Sequence, residues 1–234
     1  MEANETDSLV QSRRALRLPN TWFHTTLLGD PSTGKTSIFS LFCGFAAPST
    51  HICTRECVHG TKSMIITEGM HSVPVTFALW DTPGLSMFRW SQLDVGAVPN
   101  IVILCFNLAD KKTFIELPVY VSEISKHLVT QTLTLIIVVG THRDCNPQFR
   151  QVSMEEGNAY ARSLDAPYAE VNARDKDDVW GLFERAALTF RVNARVSQPF
   201  QRGNHWGSSS TTYGTLSVVN GTGSSTGHTH RCSC

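Results

Sequence analysis

No apolar run in this sequence approaches the roughly 18–20 residues that a bilayer-crossing helix needs, so a spanning anchor is not expected. The opening MEANETDSLV has neither the basic nor the apolar stretch of a secretory leader, and the body of the chain is therefore expected in the cytosol. A surplus of one charge is missing too. The 20 Lys and Arg balance the 20 Asp and Glu, which leaves no electrostatic case for a nucleic-acid partner. The seven cysteines, Cys43, Cys53, Cys57, Cys105, Cys145, Cys232 and Cys234, are odd in number and scattered. They read as reduced thiols and exclude a disulfide framework. No internal repeat is visible.

What is present is a hydrophobic content of 41% over 234 residues, enough for one buried core with appendages. Residues 1–20 are polar and end at Leu18-Pro19-Asn20, which reads as a loosely ordered arm whose Arg13, Arg14 and Arg17 are solvated charges. Residues 196–234 turn to Ser, Thr, Gly and Asn, a linker composition that cannot offset the entropy of folding. Between them, over 21–195, apolar runs alternate with amphipathic stretches, the pattern of an α/β domain with a mainly parallel sheet. Strands are predicted over Trp22–Leu28, Ser63–Thr67, Val73–Trp80, Ile101–Phe106, Leu133–Val139 and Tyr168–Val171, the second and third pairing as an antiparallel hairpin across Glu68-Gly69-Met70. Helices are predicted after the first strand and over Thr113–Val129, Ser153–Leu164 and Val179–Arg191. The last puts Val179, Leu182, Phe183, Ala186 and Phe190 on one core-facing stripe, with Asp177 and Asp178 favourably near its N-terminus.

The chemistry begins at GDPSTGKT, Gly29 to Thr36, which fits G-x-x-x-x-G-K-[ST] directly after a strand-like run. Backbone N–H groups of Asp30, Pro31-flanking Ser32, Thr33, Gly34 and the helix start through Ser37 can cradle phosphates. Lys35 reaches the outer ones and Thr36 offers a hydroxyl to Mg²⁺. Asp81-Thr82-Pro83-Gly84 follows another strand. Its carboxylate can hold Mg²⁺ through water and its glycine can turn an N–H toward a γ-phosphate, although alone it is also an ordinary strand-to-turn sequence. After the apolar LTLIIVV run comes Gly140-Thr141-His142-Arg143-Asp144, where the Asp144 carboxylate can accept both N–H groups of a guanine edge. Adenine would leave that carboxylate unpaired, a costly mismatch. In Val171-Asn172-Ala173-Arg174, the Ala173 N–H can meet the guanine O6.

These four segments, in this order at the ends of successive strands, resemble the G-boxes of the Ras superfamily of small GTPases over about Thr21 to Arg191. Leu79-Trp80-Asp81-Thr82-Pro83-Gly84 with Phe88 is similar to the WDTAG…F segment of the Rab family, as is MEEGNAYARSLDAPYAEVNARDKDDVWGLF to the Rab stretch that ends in its last helix. The terminal Cys232-Ser233-Cys234 resembles the Rab C-x-C pattern for double geranylgeranylation. The resemblance implies a Ras-like P-loop NTPase fold of six strands flanked by helices and a switch cycling between GTP and GDP with Mg²⁺. It also implies effector, exchange-factor, GTPase-activating and prenyl-chaperone partners, and a place on the cytoplasmic face of an intracellular membrane with a cytosolic pool. Beyond Arg195 only Arg202 and Arg231 are fixed positive charges, so one lipid would hold the membrane marginally while two would anchor it. Such a linker has a reach of roughly 30–35 Å.

The chain also departs from that family. Thr54 is the expected switch I threonine for Mg²⁺ and the γ-phosphate by its spacing from Lys35, with Thr50 and Thr61 as rivals. The flanking HICTRECVHG does not resemble the usual Rab effector sequence. Leu85 stands where the family has the glutamine that orients the attacking water, and Ser32 stands where most Ras-like loops have a glycine near the γ-phosphate. Weak intrinsic hydrolysis and a high GTP-bound fraction are expected. The resemblance still allows stimulated turnover, because activators of Rab proteins can supply a glutamine beside an arginine. Thr141 and His142 replace the Asn and Lys of NKxD, which lowers affinity more than specificity. His51, Cys53, Cys57 and His59 offer ligand types that Zn²⁺ accepts, set against an ordinary polar switch loop; His228, His230, Cys232 and Cys234 form a second such set, against lipidation. The alternative reading is a pseudo-GTPase scaffold that binds nucleotide and barely hydrolyses it; a P-loop ATPase is the third.

Overall fold

The computed structural model of the protein describes residues 21–45, 54, 56–84, 99–127 and 133–197. In chain order the elements are β1 (Trp22–Leu28), α1 (Lys35–Cys43), β2 (Val58–Glu68), β3 (His71–Asp81), β4 (Ile101–Asn107), α2 (Lys111–Ile115), α3 (Leu117–His127), β5 (Leu135–Thr141), α4 (Met154–Ser163), β6 (Tyr168–Glu170) and α5 (Lys176–Ser197). They build a six-stranded sheet in the order β2-β3-β1-β4-β5-β6. All pairings are parallel except the β2–β3 hairpin. Parallel strands bring their C-terminal ends to one edge, and β1, β3, β5 and β6 there release the four motif loops.

Alternation along the strands sorts the core into two layers. Phe23, Leu27, Phe77, Ile103 and Val139 face α1 and α5, where Phe42 stacks on Phe183 with centroids 3.6 Å apart. Leu28, Val102, Leu104, Phe106 and Val138 face the other way, onto Tyr120 and Ile124 of α3 and Ala161 of α4. The stripe predicted on the last helix lies in the first layer: Val179, Leu182, Phe183, Ala186 and Phe190 are all buried.

Several predicted boundaries shift for local reasons. The predicted strand Ser63–Thr67 extends to Val58–Glu68, because the hairpin register continues from Glu68↔His71 to Val58↔Asp81. β5 ends at Thr141 and not Val139, since its pairing with β4 runs on to Asn107↔Thr141. The predicted helix Thr113–Val129 divides at Glu116: Asp110 caps α2 by accepting from Lys112 N–H, and Pro118, which has no N–H to give, sits in the first turn of α3. Leu128 and Val129 lie outside the described residues. Ser153 caps α4 in a reciprocal box with Glu156. The final helix begins at Lys176, earlier than Val179, because Asp175 Oδ1 accepts from the N–H groups of Asp177 and Asp178.

The final helix also runs past Arg191 to Ser197, where its last turns tie back to the hairpin. Buried Arg191 donates to Glu68 Oε2 at 2.8 Å and Arg195 approaches Glu68 Oε1 at 2.6 Å. The hydrogen bond from Arg191 holds the Glu68 carboxyl below the usual carboxylate range. A carboxyl depressed by folding stabilises the native state at neutral pH and loses that contribution as pH falls through its folded value. Glu68→Gln is therefore expected to destabilise the domain by about 1–3 kcal/mol at neutral pH, because the charge-assisted bonds from buried Arg191 to Glu68 would become neutral ones. Urea unfolding should show the gap between variant and wild type narrowing as pH falls below the usual carboxylate range and Glu68 takes up its proton.

Candidate nucleotide and magnesium site

The loop after β1 is shaped by positive φ angles: 142° at Gly29, 65° at Ser32 and 78° at Gly34. A Cβ on Gly29 would fall 2.0 Å from the carbonyl oxygen of Cys105, so only glycine fits there. Lys35 folds back over the loop, its Nζ donating at 2.7 Å to the carbonyls of both Gly29 and Asp30. Gly34 precedes α1 without side-chain capping among the described residues, and the first turn of α1 carries no acidic residue. The N–H groups that open α1 through Ser37 are thus available to an anion.

Beside this loop three oxygen-bearing side chains converge. Thr36 Oγ1 donates to Asp81 Oδ2 at 2.7 Å and lies 2.8 Å from Thr54 Oγ1. Asp81 is fully buried, and its Oδ1 has no hydrogen-bond partner among the described residues. Burial raises the Asp81 carboxyl above its ordinary range, against the Thr36 hydrogen bond, the charge of Lys35 and the Thr54 hydrogen bond. A buried carboxylate with one idle oxygen, facing two hydroxyls, is an all-oxygen donor set for a hard dication, and Mg²⁺ fits it. Of the rival threonines, Thr61 stands on β2 opposite Ala78 and is exposed, while Thr50 lies outside the described residues.

Gly84 is half-buried against the loop, and the side chain that meets it is the ring of Pro31. Ser32, expected near the γ-phosphate, is exposed on the same loop. Leu85 lies outside the described residues. At the other end, Thr141 Oγ1 lies 3.0 Å from Thr33 O and 2.9 Å from Phe106 O, sharing one proton between the phosphate loop and β4. His142 turns the chain with a φ of 60° and places Nδ1 3.0 Å from that hydroxyl, while Asp144 is exposed beyond it. Asn172 Oδ1 accepts from Arg174 N–H at 2.9 Å, and a Cβ on Gly34 would lie 3.4 Å from Ala173 Cβ and 3.6 Å from Thr141 Cβ. The loops after β5 and β6 therefore close directly on the loop after β1.

One contact had no signature in the sequence: buried Tyr120 of α3 donates its phenolic O–H to Asp30 Oδ1 at 2.8 Å, across 90 positions. Its only signal was a place on the apolar face of a helix. His59 of the cysteine- and histidine-containing segment packs on Trp80 at 4.5 Å and Cys57 is exposed, whereas His51 and Cys53 lie outside the described residues. Among the described residues no three His, Cys, Asp or Glu side chains gather as a metal site. Cys232 and Cys234 also lie outside the described residues. No helix among the described residues is long and apolar enough to cross a membrane.

A sequence model of the Ras family matches residues 24–191. Ras-related protein Rab-21 of Homo sapiens is 28% identical over 178 residues, covering 74% of this chain and 76% of that protein. Ras-related protein Rab-30 of Homo sapiens is 27% identical over 173 residues, covering 74% and 82%. GTP-binding protein REM 1 of Homo sapiens is 28% identical over 175 residues, covering 75% and 57%.

Proposed function

This chain belongs to the Ras family, and from that premise we propose that it is a Rab-like switch of membrane traffic that binds GTP or GDP with Mg²⁺ and hydrolyses GTP slowly. The observation that carries the reading is the Thr36–Thr54–Asp81 convergence beside the Lys35 loop. Lys35 and the open N-terminus of α1 take the phosphates. The hydroxyls of Thr36 and Thr54, with Asp81 through water, hold the metal, which when bound neutralises the charge of the outer phosphates. The Thr54 and Gly84 N–H groups sense the γ-phosphate, so its presence orders both switch segments for an effector and its loss releases them. Asp144 accepts from the guanine N1–H and 2-amino group, Ala173 N–H donates to O6, and Asn172, His142 and Arg174 line the base. Competition between GTP and ATP tests the base assignment. A strong preference for GTP is expected, and equal binding overturns the reading.

Two features support slow hydrolysis. Leucine at 85 has no polar atom with which to orient water, and the Pro31 ring fills the space beside Gly84. Leu85→Gln is expected to raise the single-turnover rate of GTP hydrolysis by about tenfold, with Pro31 limiting any larger gain. A rate in the variant no higher than in wild type would fit the alternative, a pseudo-GTPase scaffold, which the same two residues favour. The tail from about residue 196 is proposed to carry geranylgeranyl groups on Cys232 and Cys234. These would place the domain on the cytoplasmic face of an intracellular membrane with a chaperone-bound cytosolic pool. Mass spectrometry of protein isolated from its own cells reads both lipids and bound nucleotide.

A further inference from the structure

The loop that carries Asp144 and the loop that carries Ala173 are tied together by a carboxylate outside both motifs. Asp178, in the first turn of α5, places Oδ2 2.8 Å from the backbone N of Asn172, whose N–H donates to it, and 2.8 Å from Nη2 of Arg143. Its side chain is 16% exposed and that of Arg143 51%. A half-exposed ion pair alone is worth little. Here, however, one oxygen also satisfies the N–H immediately before Ala173. The two loops meet once more through the backbone, where Arg143 N–H donates to Val171 O at 3.3 Å. Asp175 separately caps α5 and donates its own N–H to the Asn172 carbonyl, so Asp178 is not needed to start the helix.

We propose that Asp178 and Arg143 are positioning residues that clasp the two base-recognition loops and aim the Ala173 N–H at guanine O6. The proposal rests on the guanine-binding reading. Without Asp178, Asn172 N–H loses its acceptor, and the Val171–Asn172 peptide keeps only the 3.3 Å bond from Arg143 N–H to the Val171 carbonyl, so the adjoining peptide that carries the Ala173 N–H is held less firmly. Asp144, carried on its own turn after β5, keeps its place, because Thr141 still holds that turn to the phosphate loop. The clasp therefore governs recognition at position 6 of the base and leaves recognition at position 2 to Asp144. A carboxylate that acted only on general stability would weaken every nucleotide alike.

The test measures affinity of the full chain for GDP, 6-thio-GDP and IDP, together with thermal unfolding, in wild type, Asp178→Ala, Asp178→Asn and Arg143→Ala. The sulfur of 6-thio-GDP replaces O6 with a weaker acceptor, and IDP lacks the 2-amino group. Asp178→Ala is expected to weaken GDP by about tenfold, the worth of one hydrogen bond in a buried site. It should also bring the GDP to 6-thio-GDP ratio toward one while the GDP to IDP ratio stays at its wild-type value. Asp178→Asn keeps an acceptor for Asn172 and should retain most of the O6 preference, and Arg143→Ala should lose a smaller part of it. An equal loss across all three nucleotides, or no change in the 6-thio-GDP ratio, overturns the clasp. A wild-type protein with no preference for GDP over ADP overturns the guanine reading itself, a separate and distinguishable failure. If Asp178→Ala does not fold, Asp178→Asn and the surface variant Arg143→Ala decide the same ratio.

Discussion

Gly84→Ala is expected to weaken GTP binding by at least about tenfold, and GDP binding less, because the new methyl has nowhere to go. Its Cβ would stand 2.3 Å from Pro31 Cδ, 2.4 Å from Pro31 Cγ and 2.6 Å from Pro31 N. A proline ring and its backbone nitrogen cannot swing aside as a flexible chain end would. Either the phosphate loop or the start of the second switch must move, and the N–H proposed to meet the γ-phosphate moves with it. Release rates of fluorescent GDP and GTP analogues check the effect. The double variant Gly84→Ala with Pro31→Gly should recover part of the loss, since the ring contacts vanish while the nitrogen remains. Unchanged GTP release in the single variant would mean that this packing does not constrain the switch.

Thr36→Ala should do comparable damage by another route. In the wild type, chelating Mg²⁺ is expected to accelerate nucleotide release by on the order of a hundredfold, given a hard cation held by few protein oxygens and the phosphates. Removing the Thr36 hydroxyl takes away one proposed ligand and the hydrogen bond to Asp81 Oδ2. The burial that already raises the Asp81 carboxyl would then be opposed only by Lys35 and Thr54. The variant should release nucleotide rapidly with or without chelator, and Thr36→Ser should restore slow, chelator-sensitive release. A Thr36→Ala protein that still responds to chelator as the wild type does would remove Thr36 from the metal site.

Legibility from the sequence followed how local each signal was. The phosphate loop was readable because glycines with φ of 142° and 78° and the lysine that folds over them lie within one short stretch. The hairpin and the buried stripe of α5 were readable as periods of 2 and 3.6. The break at Glu116 was missed although Pro118 stood in view, because the apolar period continues across it; a helix that restarts with proline in its first turn keeps the same face inward. The far end of β2 was missed for the opposite reason. Val58–Lys62 has no strong strand composition, and it extends only because β3 offers a complete ladder partner. The approach of the Pro31 ring to Gly84 was not readable at all, because it joins two loops about fifty positions apart.

By itself the sequence determined the inventory: a P-loop motif, a carboxylate after one strand, a second carboxylate, proposed to read the base, after another, and an α/β order that sends their loops to one edge of a sheet. Those are matters of spacing along the backbone, which secondary structure converts directly into direction. Only the tertiary structure decided which groups touch. Thr36 meets Asp81 across 45 positions and Thr141 meets Thr33 across 108, while Thr54, and not the exposed Thr61, stands beside Thr36. Such contacts depend on how the two core layers pack and on how far each strand runs before it turns, and no period in the chain encodes either.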